Sequence, residues 1–274
     1  KGQQIPGVKW DMLDKESREE KTKIFILIND SNGDEINRVN GSTSTGLNRV
    51  SWNLRHGTKS VINADGMQYR SSGSRGYSRS GHLVQPGSYT ASLFKESEGE
   101  TIMLDGPISF NVVDLERSTL QGTSYNEYDE YGKSINQIYD RRTVFSNKLT
   151  EAFNTVKAMR LSLYRSKQLN NKIGSVLFNI EEELNQLLVE VNGNSAKSEI
   201  GEKNDPTLSS FIGNAARGLS TTYGPTGQHK QSLNIANSIL DKLEIKLNII
   251  TGKLPTIKME LEKMNAPRII GDTI

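Results

Sequence analysis

The amino-acid sequence predicts a multidomain β + α protein. An antiparallel β-sandwich over residues 23–115 precedes an antiparallel helical bundle over residues 122–266, with three long helices and one short one. Short apolar runs separated by turn residues fill the first part, and an apolar repeat of alternately three and four residues begins after Gly122. The apolar fraction of 34% suits such thin layers, which need few buried residues. Residues 1–22 are predicted to be a linker or edge segment, and residues 267–274 a tail.

The first two strands are predicted to form a hairpin. Residues 23–28 are β-branched and aromatic, residues 29–34 are rich in Asn, Asp and Gly, and a second strand follows at residues 35–39. A calcium loop is the alternative for the turn. An EF-hand needs glycine at its sixth and glutamate at its twelfth position, whereas here Gly33 is fourth from Asp30 and Gly41 is twelfth. The pattern therefore favours a turn.

Three later segments alternate apolar and polar residues, as strands with one buried face do. They lie near residues 46–55, 88–94 and 108–112, and a turn at Pro86 and Gly87 precedes the second of them. Nine side chains are predicted to share the buried face: Val50, Trp52, Leu54, Tyr89, Ala91, Leu93, Ile108, Phe110 and Val112.

The segment from residue 69 to residue 81 is rich in Ser, Gly and Arg. Arg70, Arg75 and Arg79, beside Tyr69 and Tyr77, are suited to hold a phosphate or a nucleic acid strand. The formal net charge of the chain is only +2, so no general positive field surrounds them. A surface loop is the favoured interpretation, and we expect no nucleic acid partner.

The second part of the chain contains three long apolar seams with heptad spacing. Arg142 interrupts the first seam and is expected to extend towards solvent or to pair with a carboxylate. The first helix is expected to end near residues 170–171, and the second to stop at Asn192 and Gly193. The first seam comprises Tyr128, Tyr131, Ile135, Ile138, Arg142, Phe145, Leu149, Ala152, Val156, Met159 and Leu163. The second comprises Ile173, either Val176 or Leu177, Ile180, Leu184, Leu187 and Val191.

A polar segment and a short helix separate the second seam from the last. Residues 192–205 are predicted to be a mobile loop, and Pro206 to start the short helix. The last seam crosses Gly252 and Pro255 without losing register, which predicts a kinked helix or two collinear ones. Its members are Leu233, Ala236, Leu240, Leu243, Leu247, Ile250, Leu254, Ile257, Leu261 and Met264. A seam can also bind a helix of another protein, but packing within the chain is the commoner arrangement.

Eight residues of the strand region resemble the immunoglobulin-like module related to that of flagellar hook-capping proteins. They are Asp30, Gly33, Gly46, Asn48, Trp52, Pro86, Gly87 and Tyr89. Such a module followed by a helical bundle is similar to the C-terminal region of secreted bacterial sortilin-like proteins, whose N-terminal part is a BNR-repeat β-propeller often labelled glycosyl hydrolase. The resemblance covers residues 20–265. Those proteins usually carry Asp-Pro-Arg at the junction, where this chain has residues Asp114, Leu115, Glu116 and Arg117.

Few residues in the chain point to chemistry. Cysteine is absent, and His56, His82 and His229 have no second ligand at a metal-binding spacing, so we expect surface histidines, no metal site and no cofactor. The consecutive residues Glu181, Glu182 and Glu183 are interpreted as a solvated helix face rather than as the carboxylate pair of a glycosidase.

Aromatic side chains near the start of the bundle are a further possible binding feature. Tyr128 and Tyr131 belong to the first seam and are expected to pack against the sandwich, whereas Tyr125 and Tyr139 have either a packing role or a role in stacking on sugars. No catalytic, cofactor-binding or metal-binding residue is predicted.

The resemblance implies a non-catalytic accessory, binding or scaffolding region of a secreted or cell-surface bacterial protein. Its expected partner is an upstream β-propeller or another large protein. The sequence begins at Lys1, without an initiator Met, so either a segment has been removed from the front or the chain is the tail of a longer polypeptide, and the second interpretation is favoured. Two alternatives remain open: a supporting part of a glycosidase or peptidase whose active site lies upstream, and a component of a bacterial secretion or surface assembly.

Overall fold

The computed structural model describes residues 10–57, 61–62, 80–115, 120–166 and 170–269. It is a mixed α/β structure. The chain divides into two compact units: a strand unit, residues 1–58 and 74–119, and a helical unit, residues 59–73 and 120–274.

The strand unit contains a four-stranded and a two-stranded antiparallel sheet. The larger has the order β2-β1-β5-β6, and the smaller pairs β3 with β4. The elements of the unit are α1 (Trp10–Arg18), β1 (Lys23–Asp30), β2 (Glu35–Asn40), β3 (Arg55–Gly57), β4 (Ser80–Leu83), β5 (Gly87–Ser97) and β6 (Glu100–Val112).

The core of the strand unit lies on one face of the larger sheet. Ile28, Val84 and Tyr89 are buried there, and the ring of Trp52 packs edge-on against Tyr89 and Phe110, with centroids 5.8 and 6.0 Å away. The prediction that Trp52 contributes to the core is therefore confirmed. Other side chains packed on this cluster are Ile26, Ile36, Val39 and Val112.

The β1–β2 connection is a tight turn built on one carboxylate. Oδ1 of Asp30 accepts the backbone N–H groups of Asn32 and Asp34, both at 2.9 Å, and Gly33 has a φ of +87°. Such an Asx turn satisfies the loop donors inside the hairpin. The predicted hairpin is confirmed.

The strand predicted near residues 46–55 is wrong, since residues 41–54 contain no strand and β3 covers only Arg55–Gly57. Leu54 has a φ of +56°, outside the extended region, and is 42% exposed. The indole Nε1 of Trp52 donates to the Arg55 carbonyl oxygen at 2.9 Å, which folds this segment back on itself. Ile108 is also 61% exposed, although it was predicted on the buried face.

The structure adds three elements to those predicted for the strand unit. They are the helix α1, within the predicted linker or edge segment of residues 1–22, the strand β4 and the first half of β6, which joins β5 through Glu98 and Gly99 at φ values of +53° and +78°. Two consecutive left-handed residues are what a two-residue hairpin turn requires.

The helical unit is built from long helices around one apolar core. Its elements are α2 (Tyr125–Tyr164), α3 (Asn171–Asn192), α4 (Ser195–Glu199), α5 (Leu208–Arg217) with a 3-10 turn (Gly218–Ser220), α6 (Gly227–Gly252) and α7 (Leu254–Lys263). With the exceptions of Arg142 and of the partly buried Tyr128 and Leu163, the predicted seam residues of α2 are buried. In α3, Leu177 occupies the core at 0% exposure and Val176 is 43% exposed, which decides between the two alternatives.

Ion pairs between helices show their directions. Glu190 and Glu183 of α3 bind Lys246 and Lys253 of α6 respectively, so the numbers descend along α3 as they rise along α6 and the two helices run in opposite directions. On α2, Glu127 pairs with Lys230 and Arg141 with Glu244, so α2 and α6 run in the same direction.

The helix α5 continues the direction of α3. Its first turn is linked to the end of α3 by a 3.2 Å hydrogen bond from Ser209 Oγ to Asn192 Oδ1. Its last turn lies beside the start of α2, where the hydroxyls of Tyr131 and Tyr128 donate to the carbonyl oxygens of Ala215 and Leu219, both at 2.8 Å. Both phenols thus serve the helical unit itself, which accounts for their burial.

Several details differ from the predictions. The helix α2 ends at Tyr164, before Asn170, whose side chain caps the start of α3. The polar segment after Asn192 contains α4, because Oδ1 of Asn194 accepts two backbone N–H groups at its start. Thr207 rather than Pro206 caps α5, through a reciprocal pair of hydrogen bonds with Ser210.

Candidate functional site

A surface groove of about 810 Å³ lies between the first turns of α3 and the junction of α6 with α7. Its apolar side chains are Ile173, Val176, Ile257 and Met264, and its size falls in the range of ligand-binding clefts. The remaining lining residues are Asn170, Lys172, Gly252, Lys253, Thr256, Glu260 and Lys263.

The walls of the groove include a glycine on α6 and a half-exposed valine on α3. On α6 the wall begins at Gly252, which has no side chain, and Pro255 in the next turn cannot donate a backbone hydrogen bond to the preceding turn. The wall on α3 includes Val176, whose side chain is 43% exposed. The helices therefore pack less closely at this level than at their buried seams.

Charged side chains surround the groove and close one end of it. Nζ of Lys253 lies 2.9 and 3.1 Å from the two carboxylate oxygens of Glu183, which follows Val176 by about two helical turns on α3. Lys172 and Lys263 add positive charge, and Glu260 is the one carboxylate among the described lining residues. The groove can therefore hold an apolar group whose polar end is neutral or acidic.

A second surface feature is a group of exposed apolar side chains on α6 and α7, which we call the outer apolar strip: Ile245, Ile249 and Met259. Their exposed fractions are 61%, 61% and 53%. The neighbouring residues Glu244 and Lys246 reach α2 and α3 respectively, so the strip lies on the face of α6 that turns away from both helices. Exposed apolar residues spaced along one helix face are typical of contact surfaces.

The three consecutive glutamates of α3 do not form one solvated face, contrary to the prediction. Glu181 pairs with Arg160 of α2 and Glu183 with Lys253 of α6, while Glu182 is exposed. Consecutive residues on a helix point about 100° apart, so they reach different neighbours. The carboxylates of Glu181 and Glu183 therefore connect α3 to two different neighbouring segments of the helical unit.

Two of the histidines lie together in the strand unit. The imidazole rings of His56 on β3 and His82 on β4 stack with centroids 4.3 Å apart and an angle of 24° between their planes. His82 is 3% exposed, so its predicted surface position is wrong. His229 has a different role: its Nδ1 accepts the backbone N–H of Thr226 at 3.1 Å at the start of α6.

The half-buried Arg142 forms no ion pair within the described residues, so the predicted carboxylate partner is not found there. Its Nε is buried and has no hydrogen-bond partner there, whereas the adjacent Arg141 binds Asp241 and Glu244 of α6. The two arginines point about 100° apart on the helix, which places Arg141 beside the acidic residues of α6.

Burial changes the titration of one aromatic residue. Desolvation raises the pKa of the Tyr131 hydroxyl to about 12. Tyr125 and Tyr139, for which packing and sugar stacking were open, are 47% and 37% exposed. The arginine- and tyrosine-rich candidate residues 69–79 lie outside the described part of the chain.

The sequence predicts neither the groove nor the histidine pair as a site. The sequence predicts a kink at Gly252 and Pro255. This kink is the local sequence feature that coincides with the groove. The two histidines are 26 positions apart in sequence, and β4, which carries His82, had not been recognised as a strand.

Comparisons with known proteins found no counterpart for this chain: no family model, no curated protein and no solved structure matches it. Among the described residues, no helix is both long and apolar enough to cross a lipid bilayer.

Proposed function

We propose that this chain is a non-catalytic accessory region of a secreted or cell-surface bacterial protein of the sortilin-like propeller type, and that it acts by binding protein. In this proposal the strand unit is an immunoglobulin-like sandwich that serves as a spacer. The helical unit is an antiparallel bundle that docks onto the upstream β-propeller or another large protein. The sequence resemblance of residues 20–265 motivates the choice of partner.

The observation that carries the proposal is the outer apolar strip. Three large apolar side chains, each more than half exposed, lie on α6 and α7, the two helices whose junction borders the groove. Burying one such side chain in an interface contributes about 1.5–3 kcal/mol, which a surface without a partner forgoes. A strip of this kind is expected of a helical docking module.

The charged residues of the same helix support a protein partner rather than a membrane surface. Lys246 and Lys253 are engaged with glutamates of α3, and Glu244 with an arginine of α2, so these three charges are neutralised within the unit. An anionic lipid surface would need a cluster of available cations.

The first test is the intact mass of the natural protein isolated from its source organism. A mass well above 30.5 kDa, with a β-propeller in the additional sequence, is expected. A mass close to 30.5 kDa would refute the propeller-tail proposal.

The second test examines the strip directly in that natural protein. The double substitution Ile245→Asp and Ile249→Asp should weaken docking, measured as faster hydrogen exchange along α6 and earlier cleavage in limited proteolysis. A matched control is Leu188→Asp with Val189→Asp on α3, whose side chains are 41% and 43% exposed on another helix. Equal behaviour of the two double variants would contradict docking through the strip.

A further inference from the structure

The strand unit brings together two imidazoles that the proposed docking function does not use. His56 and His82 come from the paired strands β3 and β4, and their ligand nitrogens lie within 4.8 Å of one another. We propose that these two histidines form a binding site for a divalent transition-metal ion of the Zn²⁺ class.

The backbone that carries the pair is held from both sides. The carbonyl oxygen of Arg55, next to His56, accepts the side-chain N–H groups of Trp52 at 2.9 Å and Asn37 at 2.8 Å. The guanidinium of Arg55 donates through Nη1 to the Gly81 carbonyl oxygen, next to His82, at 3.1 Å. One arginine therefore fixes both histidine-bearing strands, which preorganises the pair.

A glycine makes the close approach of the rings possible. A Cβ atom at Gly81 would lie 2.9 Å from the His56 backbone oxygen and 3.0 Å from the His56 Cβ. Distances this short force the strands apart, so a side chain at position 81 would separate the two imidazoles. The local sequence is thus suited to bringing them face to face.

The geometry fits coordination after a small movement. Zn–N bonds of about 2.0–2.1 Å at a tetrahedral centre place two ligand nitrogens about 3.3 Å apart. The upper limit of 4.8 Å between the nitrogens therefore asks for a closure of about 1.5 Å or less, within the reach of ring rotation. Each imidazole coordinates through one nitrogen, and a hydrogen bond at the other nitrogen orients the ring.

The chemistry selects the class of ion. Neutral imidazole is a ligand for Zn²⁺, Ni²⁺ and Cu²⁺, whereas Ca²⁺ and Mg²⁺ prefer oxygen. Two protein ligands leave further coordination positions for water. The burial of His82 removes bulk solvent from one side of the site, and the half-buried His56 provides access from the other.

The experiment is calorimetric titration of the full, metal-stripped chain with Zn²⁺ at pH 7.5. We expect saturable binding of one ion, and His56→Gln should weaken it at least about tenfold, as removal of a ligand does. His82→Gln should do the same. The control is His229→Gln, because His229 lies at a helix start in the other unit, and it should leave the affinity unchanged.

A second readout protects the test against misfolding of the buried variant. Zn²⁺ should raise the melting temperature of the wild type and of His229→Gln but not that of His56→Gln, whose half-buried position tolerates glutamine. If His56→Gln gives the same heat of Zn²⁺ binding as the wild type, the ion binds surface carboxylates instead, and the proposal is overturned. Absence of saturation below about 1 mM Zn²⁺ would overturn it as well.

Discussion

The guanidinium of Arg141 on α2 donates two hydrogen bonds to the carboxylate of Glu244 on α6, from Nη2 to Oε2 at 2.9 Å and from Nε to Oε1 at 3.3 Å. Asp241, one turn earlier on α6, joins the same guanidinium at 2.6 Å. The hydrogen bonds that Arg141 donates to Glu244 and then to Asp241 raise the pKa of its guanidinium. This cluster fixes the parallel alignment of the first and last long helices.

Arg141→Met should destabilise the helical unit only modestly. The two side chains of the main pair are 36% and 38% exposed, and such pairs contribute about 0.2–1 kcal/mol because solvent screens them. We expect a loss within that range at low salt, and a smaller loss at 1 M NaCl, measured by urea unfolding. Lys157→Met, an exposed cation on the same helix, is the control and should show neither effect.

Leu177→Ala should cost far more stability than Val176→Ala. Leu177 is completely buried in the core of the helical unit, and truncation of such a leucine costs about 2–5 kcal/mol through lost burial and a residual cavity. Val176 lines the groove and is 43% exposed, so its truncation should cost less than about 1 kcal/mol. Chemical denaturation followed by circular dichroism measures both, and similar losses would contradict the assignment of the seam.

Tyr131 should make the stability of the helical unit fall at high pH. Burial raises the pKa of its hydroxyl from 10 to about 12, which means that the folded state favours the neutral phenol. The resulting stabilisation is fully present below pH 10 and is lost as the pH rises towards 12. The difference in unfolding free energy between wild type and Tyr131→Phe should shrink over that interval.

The same variant removes the hydrogen bond to the Ala215 carbonyl, so at neutral pH it should be less stable by about 1 kcal/mol. Tyr164→Phe is the control, because Tyr164 is 86% exposed. A pH-independent difference for Tyr131→Phe would show that the phenol is accessible to water in the folded protein.

Asp30→Ala should loosen the β1–β2 hairpin, whereas Asp30→Asn should largely preserve it. The alanine variant loses the oxygen that accepts two backbone N–H groups, at about 1 kcal/mol for each hydrogen bond, and asparagine retains an acceptor. Hydrogen exchange at the amides of Asn32 and Asp34 measures the effect. Faster exchange in both variants alike would assign the turn to Gly33 instead.

The helices were predictable because their signals are local and redundant. Ten of the eleven seam positions along α2 are apolar or aromatic, so the pattern predicts the helix despite the exception at Arg142. The smaller sheet was not predictable in the same way. β3 and β4 have three and four residues, and Trp52 reaches the core from a segment without strand structure, through a turn that alternation does not encode.

The candidate sites escaped prediction for a related reason. The groove depends on which face of α3 meets Gly252, and the histidine pair depends on a strand pairing between positions far apart in sequence. Spacing along a chain reveals ligands only when one element carries them. His56 and His82 belong to different elements, and neither carries a local signature.

The segment between α3 and α5, residues 193–207, is suited to accept inserted sequence. Two hydrogen bonds between Asn194 and Asn204 hold its ends together. The Asn194 backbone N–H donates to Asn204 Oδ1 at 2.8 Å, and Asn204 Nδ2 donates to the Asn194 carbonyl oxygen at 3.2 Å. A polypeptide inserted between Glu199 and Glu202 would therefore have its two ends close together, outside the seams of α3 and α5. Since doubling such a loop costs only about 0.6 kcal/mol, an epitope or a whole guest domain can be carried there while the helices on either side keep their register.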